Sequence, residues 1–423
     1  MTTYRENAPQ PAAVFSTAAV TLVGTLCVLY IVSQFFRNTI AVIAPDLAAE
    51  LHLSPVEIGL LASVFFFAFA AAQVPLGVAL DRFGPKRCLL VCVAILVAGT
   101  VVFSTAATVN GLVGGRILIG LGAASFLVAP LTLYARWFAP ERFSTLAGIH
   151  LGIGTLGTLC ATAPLAFAVA AIGWRATFLA VGIFTIGMGA LVLILVRDDP
   201  PGVRAQSRRE TVRESLAGIV EAIHTPSIGR LFLVLMTSYS SLILILGLWG
   251  GPYLTHIYGY DLQGRGNILL IPALTQIVGS FIWGPMDRVF GGYKLPVLIG
   301  HGLTTAALLI LAAFGELPIV TLVLVLALLG FSSAMTPVLM GHGKSLFAPH
   351  LIGRGITLMN IGTMGGVFLS QTVSGAVIGM FPAEGGVYPL DAYRAVFGLQ
   401  AVFAVVAFVA YLGAQDPSRP RPG

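Results

Sequence analysis

The sequence predicts an all-α membrane protein with twelve transmembrane helices, arranged as two pseudo-symmetric six-helix bundles. Composition, long apolar segments and an internal repeat lead to this prediction. Of the 423 residues, 57% are hydrophobic and only 9% are Asp, Glu, Lys or Arg, whereas about a quarter are charged in soluble domains. So few charges cannot solvate a globular surface, which excludes soluble enzymes, secreted modules and soluble nucleic-acid-binding proteins.

The apolar segments divide six and six around a polar stretch. A helix needs about 20 apolar residues to cross a bilayer, whereas barrel strands would be about ten residues long and would alternate in polarity. The first six segments lie near 15–44, 56–80, 88–107, 111–135, 144–172 and 176–196. The other six lie near 229–256, 266–286, 294–314, 317–340, 354–380 and 393–413. We therefore expect a first bundle at 1–196, a cytoplasmic linker at 197–228 and a second bundle at 229–423.

Basic residues are concentrated on one side of the predicted membrane. Most of the 23 Lys and Arg residues fall in the loops that would share a side with both termini, whereas the opposite loops hold Arg175, Arg265 and Arg394. The positive-inside rule then places both termini in the cytoplasm of a multi-pass cell-membrane protein, expected in a bacterial inner membrane. The net charge of +6 is thus explained by topology, and no nucleic-acid partner is expected beside the lipid bilayer.

The two halves repeat in sequence at an offset of about half the chain. Four matches occur in the same order, which favours two bundles related by an axis along the membrane normal. They are Gly77–Gly84 with Gly284–Gly291, Phe138–Pro140 with Phe347–Pro349, Gly154–Gly157 with Gly362–Gly365, and Trp174–Phe178 with Tyr393–Phe397.

Two motifs make the chain resemble the major facilitator superfamily of secondary transporters, and Arg37 in the first segment is similar to an arginine of the family's organic-anion branches. The loop after the second segment reads Gly77-x-Ala79-Leu80-Asp81-Arg82-x-Gly84-x-Lys86-Arg87 and is similar to the family's signature loop. The fourth segment opens with Arg116-x-x-x-Gly120-x-Gly122, which is similar to a second family motif. The resemblance implies alternating access in a monomeric transporter.

The resemblance also implies a conformational role for the signature loops. The family's acid, here Asp81, is held against the positive N-terminus of the eleventh helix, near Arg354, and would latch the outward-open state. Asp287 and the fifth helix, near Phe143, offer the symmetric contact, although these charges would also serve as simple helix-end anchors. The gating residues that we expect are Gly77, Asp81, Arg82, Gly84, Arg87, Arg116, Asp287 and Arg288.

Within the spans, the sequence leaves two arginines and no carboxylate. We expect all 17 acidic residues in loops or at helix ends, whereas Arg37 and Arg116 lie inside segments. Tyr30, Gln34, Arg37 and Asn38 share one helical face. A guanidinium without a carboxylate partner is suited to a carboxylate, phosphate or sulfonate, so this face is our candidate anion site. The alternative is that Arg37 extends to the outer interface or bonds to carbonyls at a helix end.

Further polar and aromatic residues are expected to line the same pocket. Each of them also fits a helix–helix hydrogen bond, which is the commoner role of a polar side chain within a span. The candidates are His150, Tyr239, Trp249, Gln276, Asn360 and Gln371.

The predicted function is secondary transport of a small, anionic molecule, with no enzymatic activity and no cofactor. Gly152-x-Gly154-x-x-Gly157 lacks the strand that a dinucleotide site requires, and the four cysteines lack metal-site neighbours. Protons are a candidate coupling ion through His150 or the substrate itself, and exchange and uniport remain open. Efflux of hydrophobic drug-like compounds and a non-transporting membrane sensor are the alternatives.

Overall fold

The computed structural model describes residues 17–138, 140–198, 212–348 and 351–416, and these residues are almost entirely helical. The first half contains α1 Thr17–Leu51, α2 Pro55–Phe83, α3 Pro85–Thr105, α4 Val109–Ala123, α5 Ser125–Trp137, α6 Pro140–Gly154, α7 Leu156–Cys160 and α8 Ala163–Leu195. The second half contains α9 Val212–Ile223, α10 Ile228–Leu244, α11 Gly250–Tyr258, α12 Leu262–Trp283, α13 Met286–Val289, α14 Lys294–Phe314, α15 Ile319–Ser333, α16 Thr336–Leu346, α17 Ile352–Ile378 and α18 Leu390–Leu412. Eleven helical stretches of the described chain are long and apolar enough to cross a membrane.

The twelfth span is contained in α8, which is two helices joined at Gly173. This glycine has φ 78° and ψ 158°, which no helix adopts. Before it, Ala163 and Ala166 pack against Gly266 of α12; after it, Gly182 and Gly189 pack along α3. The chain thus forms span 5 from residue 140 to 172 and span 6 from residue 174 to 195. The twelve-helix architecture is therefore confirmed.

The remaining spans correspond to the predicted segments. Spans 1 to 3 are α1 to α3, and span 4 joins α4 to α5. Span 7 joins α10 to α11 through a π-helical turn at Ile245–Trp249, and span 10 joins α15 to α16. Spans 8, 9, 11 and 12 are α12, α14, α17 and α18. The linker includes α9, whereas residues 199–211 lie outside the described chain, and the boundaries of the bundles and linker stay a proposal.

A pair of matching helix caps repeats the internal symmetry in three dimensions. At the start of span 3, the Lys86 amide donates to Asp198 at 2.6 Å, and the Lys86 ammonium donates to the Leu193 carbonyl at 2.7 Å. At the start of span 9, Lys294 makes the same two bonds, to Asp416 at 2.9 Å and to Leu412 at 2.5 Å. Each acid stabilises a helix N-terminus electrostatically, and the sequence analysis missed both.

One sequence prediction about acids is wrong. Span 1 ends at Leu51, well beyond residue 44, so Asp46 lies inside the helix and more than one turn from its end. Asp46 and Glu50 lower the local hydropathy, which explains why the predicted segment ended early.

We call the end of the protein that carries the Lys86 and Lys294 loops the basic end, and the opposite end the outer end. The two halves meet closely toward the outer end through glycines. A methyl group built on Gly251 would lie 1.7 Å from the Ala41 carbonyl, and one on Gly59 would lie 2.8 Å from the Gln371 carbonyl. Such approaches are open only to glycine, so the outer half of the contact is closed in this conformation.

Candidate functional site

Arg37 is the centre of the candidate site. It lies on α1 with only 4% of its surface exposed, and its guanidinium carbon stands 4.5 Å from the centre of the Phe69 ring. Its Nε atom has no hydrogen-bond partner among the described residues. No Asp or Glu of the described chain is buried. A cation over a phenyl ring gains about 0.5–2 kcal/mol, so Phe69 only partly compensates the buried charge.

The polar face of span 1 surrounds this arginine. The Asn38 amide donates to the Gln34 carbonyl at 3.0 Å and to Thr158 of span 5 at 3.3 Å, but its own oxygen has no partner. The side-chain oxygen of Gln34 is also buried without a partner. Tyr30 is buried about two helical turns before Arg37, and Tyr239 of span 7 is half-buried. Tyr30, Gln34 and Asn38 thus share the part of span 1 that carries Arg37.

Gln371 of span 11 and the main chain of Arg37 both border Gly247 of span 7. A methyl group built on Gly247, in the π-helical turn, would lie 3.1 Å from the Gln371 amide nitrogen and 3.6 Å from the Arg37 carbonyl. The same nitrogen donates to the Ile243 carbonyl at 3.5 Å, and the Gln371 oxygen has no partner. A π-helical turn widens a helix locally and often occurs at functional sites, and here the Gln371 amide fits beside the glycine.

The other predicted residues of the second half lie further from this centre or have partners of their own. Trp249 donates its ring N–H to Ser374 at 2.7 Å, which joins spans 7 and 11. Asn360 lies eleven residues before Gln371 on α17, or ~16 Å along the axis. Gln276 is half-buried on α12, and its described bonds do not connect it to Arg37.

His150 is held by protein groups on both ring nitrogens. Nδ1 is 3.0 Å from the Tyr134 hydroxyl, and Nε2 is 3.1 Å from the Phe126 carbonyl. Because a carbonyl only accepts, Nε2 carries the proton and Nδ1 accepts from Tyr134 in the neutral ring. The ring stacks on Tyr30 with centres 4.9 Å apart. His150 therefore positions Tyr30, with no ring nitrogen left for a substrate.

Arg116 connects three spans at the level of Arg37. It is fully buried on α4, and it donates to the Leu61 carbonyl at 3.2 Å and the Phe36 carbonyl at 2.7 Å. Its guanidinium lies over the Phe65 ring, and one terminal nitrogen has no partner. Because Phe36 precedes Arg37, this bond fixes the main chain of span 1 next to the candidate site.

At the basic end, Asp81 and the start of span 11 are separated by a cavity that both line. The cavity has a volume of about 350 Å³. Asp81 lines it together with Gly353 and Arg354, which are the second and third residues of α17. Gly77 and Gln73 line it on the same helix. Gln73 is one helical turn from Phe69, so the cavity reaches toward Arg37. The latch role of Asp81 stays a proposal.

The remaining gating candidates differ in environment. Gly84 has φ 86° and ψ 154°, and a methyl group there would lie 2.6 Å from Asp198. Arg82 and Arg87 are exposed, as is Arg288 of α13. Asp287 is half-buried, and its contact with span 5, expected from symmetry, is not among the contacts that the structure describes.

An ion pair at the outer end was missed by the sequence analysis. Arg265, assigned there to a loop, is buried at 3% exposure on α12. It binds Asp46 of span 1 and donates to the Val42 carbonyl at 2.7 Å. These contacts tie the first half to the second, whereas a neighbouring ion pair, Arg175 with Glu50, lies within the first half.

Comparison with known proteins supports the family resemblance. The sequence profile described as Major Facilitator Superfamily matches residues 26–265 and, in a second match, residues 231–423.

Curated relatives include transporters of organic anions. The chain is 27% identical to a probable sulfoacetate transporter of Cupriavidus necator, over 64% of this chain and 65% of the relative. It is 26% identical to a probable L-galactonate transporter of Escherichia coli, over 76% of this chain and 71% of the relative. The chain therefore spans just under two thirds of the first relative's length.

Solved structures share the fold. A bacterial homologue of the human lysosomal transporter Spinster, inward-facing and occupied, superposes with a TM-score of 0.77 at 17% identity, covering 94% of this chain and 97% of that one. A D-xylose–proton symporter gives 0.70 at 15% identity, covering 91% and 96%.

Proposed function

The chain belongs to the Major Facilitator Superfamily, and we propose that it is a secondary transporter that moves a small organic anion by alternating access. The main support is Arg37, which is a buried cation at the contact between the two halves and has no described ion pair. A bound carboxylate or sulfonate would supply the missing negative charge and accept from the guanidinium.

Two features support an anion over a neutral or cationic substrate. The buried charged side chains of the described residues are Arg37, Arg116 and Arg265, without an acid that would bind a cation. The sulfoacetate and L-galactonate transporters among the relatives are both named for organic anions. Drug efflux, which was the alternative, has no comparable feature within the spans.

The closed outer half and the cavity at the basic end support an inward-directed conformation. Opening the outer end would separate Arg265 from Asp46, and closing the basic end would bring Asp81 against α17. Those two contacts would then alternate between the conformations, in the manner of two gates.

Proton coupling is the less favoured energy source. No carboxylate of the described chain is buried, and both nitrogens of His150 are occupied by Tyr134 and Phe126. We propose anion exchange or uniport, with the substrate gradient as the driving force.

Uptake into proteoliposomes tests the proposed function. Liposomes loaded with unlabelled sulfoacetate, L-galactonate or glucuronate should take up the same labelled anion, and Arg37→Gln should reduce this uptake at least tenfold because it removes charge-assisted hydrogen bonds. Arg142→Gln, an exposed arginine, is the matched control and should retain wild-type uptake. Equal uptake by wild type and Arg37→Gln would contradict the assignment.

A further inference from the structure

Three amide oxygens beside Arg37 are buried without a hydrogen-bond partner. They belong to Gln34, Asn38 and Gln371, and together with Arg37 Nε they make up half of the unpartnered buried side-chain atoms in the described chain. A buried polar atom without a partner costs about 1–3 kcal/mol, and such atoms are few in native proteins. Gln34 and Asn38 flank Arg37 on span 1 and Gln371 lies on the other half of the protein, which indicates a ligand site between the halves.

The contacts of the amides fix which atom of each is free. The Asn38 nitrogen bonds to the Gln34 main-chain carbonyl, which only accepts, and the Gln371 nitrogen bonds to the Ile243 carbonyl in the same way. The free atoms of these two residues are therefore oxygens, which accept hydrogen bonds and do not donate them. The site thus offers one cation and at least two neutral acceptors.

The acceptors lie on both halves of the protein. Asn38 follows Arg37 on span 1, whereas Gln371 belongs to span 11, and its amide nitrogen and the Arg37 main-chain carbonyl both lie close to Gly247. A ligand that satisfies both oxygens would contact span 1 and span 11 at once. Binding would then depend on the closed contact between the halves.

From this arrangement, we propose that the substrate is a hydroxylated organic anion, whose charged group binds Arg37 and whose hydroxyl groups donate to Asn38 and Gln371. This inference rests on the proposed function and narrows its substrate class. A simple carboxylate or sulfonate without donors would leave both oxygens unsatisfied. An ammonium group would also donate, but no buried acid of the described chain would balance it beside Arg37.

Matched pairs of anions test the inference in the full-length protein. Competition against a labelled anion compares glycerate with propionate, isethionate with ethanesulfonate, and gluconate with hexanoate, so that each pair shares its charge and chain length. We expect the hydroxylated member to bind about tenfold tighter for each oxygen it satisfies. Equal affinities within every pair would overturn the inference, because water would then satisfy the oxygens.

Variants assign the preference to particular atoms. For each pair, the ratio of interest is the affinity of the hydroxylated anion divided by that of its partner without hydroxyl groups. Gln371→Met and Asn38→Leu should each reduce this ratio about tenfold. Arg37→Gln should instead weaken the binding of both anions of a pair alike. Gln400→Met is the control, because the Gln400 amide is buried but already bonded to Ser370, Ser240 and Ser241, and it should keep the wild-type ratio. A ratio unchanged in Gln371→Met and Asn38→Leu would contradict the assignment.

The outcomes distinguish a failure of the hydroxyl contacts from a failure of the anion site. If both members of each pair bind equally but Arg37→Gln loses both, the anion site stands and the hydroxyl assignment fails. If no anion competes in the wild type, the proposed function fails first.

Discussion

Replacing Asp46 by Asn should open the outer end of the protein. The carboxylate of Asp46 binds Arg265, and this pair joins span 1 to span 8. The Arg265 side chain is 4% exposed and that of Asp46 is 40% exposed, so the pair is partly screened and contributes about 1 kcal/mol. That loss corresponds to about a fivefold rise in the population whose outer end is open.

Spin labels at His52 and Glu384 would measure this rise. Both residues are exposed in loops at the outer end, one in each half, and Cys160, the exposed cysteine among the four, is first replaced by Ser. Asp46→Asn should add a longer distance to the distribution. Glu50→Gln is the matched control, since Glu50 pairs with Arg175 inside the first half. Equal distributions for Asp46→Asn and wild type, or equal shifts in both variants, would show that the Asp46–Arg265 pair does not hold the outer end closed.

Two further substitutions test the loop at the basic end and the role of His150. Gly84→Ala should lower the free energy of unfolding by about 1–3 kcal/mol, because its φ and ψ are nearly exclusive to glycine and a methyl group would meet Asp198; thermal unfolding checks this, and an unchanged midpoint would contradict it. His150→Gln should weaken substrate binding through the loss of stacking on Tyr30, yet leave the pH dependence of uptake unchanged. An altered pH profile in that variant would show that His150 carries a coupling proton.

The sequence was sufficient for the fold because the bilayer imposes it. Hydrophobic length located the spans, whereas the orientation expected from the basic loops stays a prediction. Sequence periodicity also placed Tyr30, Gln34, Arg37 and Asn38 on one face, since helical geometry is local. Asp46 was misplaced because hydropathy averages over a window, in which one acid ends a segment even when the helix continues.

Contacts between distant spans could not be predicted in the same way. Arg265 and Asp46 are far apart in sequence, and only the packing of the two halves brings them together. His150 was expected to face the pocket, but its partners Tyr134 and Phe126 follow from how spans 4 and 5 pack. The π-helical turn at Ile245–Trp249 likewise has no periodic signal, although it places Gly247 beside Gln371.

Equilibrium binding of gluconate to the wild type and to Arg37→Gln in lipid nanodiscs shows directly whether Arg37 binds the charged group of the substrate. Glucitol, which shares its hydroxyl groups but carries no charge, is the reference ligand. We expect the wild type to bind gluconate at least tenfold more tightly than glucitol, and Arg37→Gln to abolish this difference while remaining folded. Gluconate that bound both proteins with the same affinity would contradict the assignment of Arg37 as the anion-binding residue.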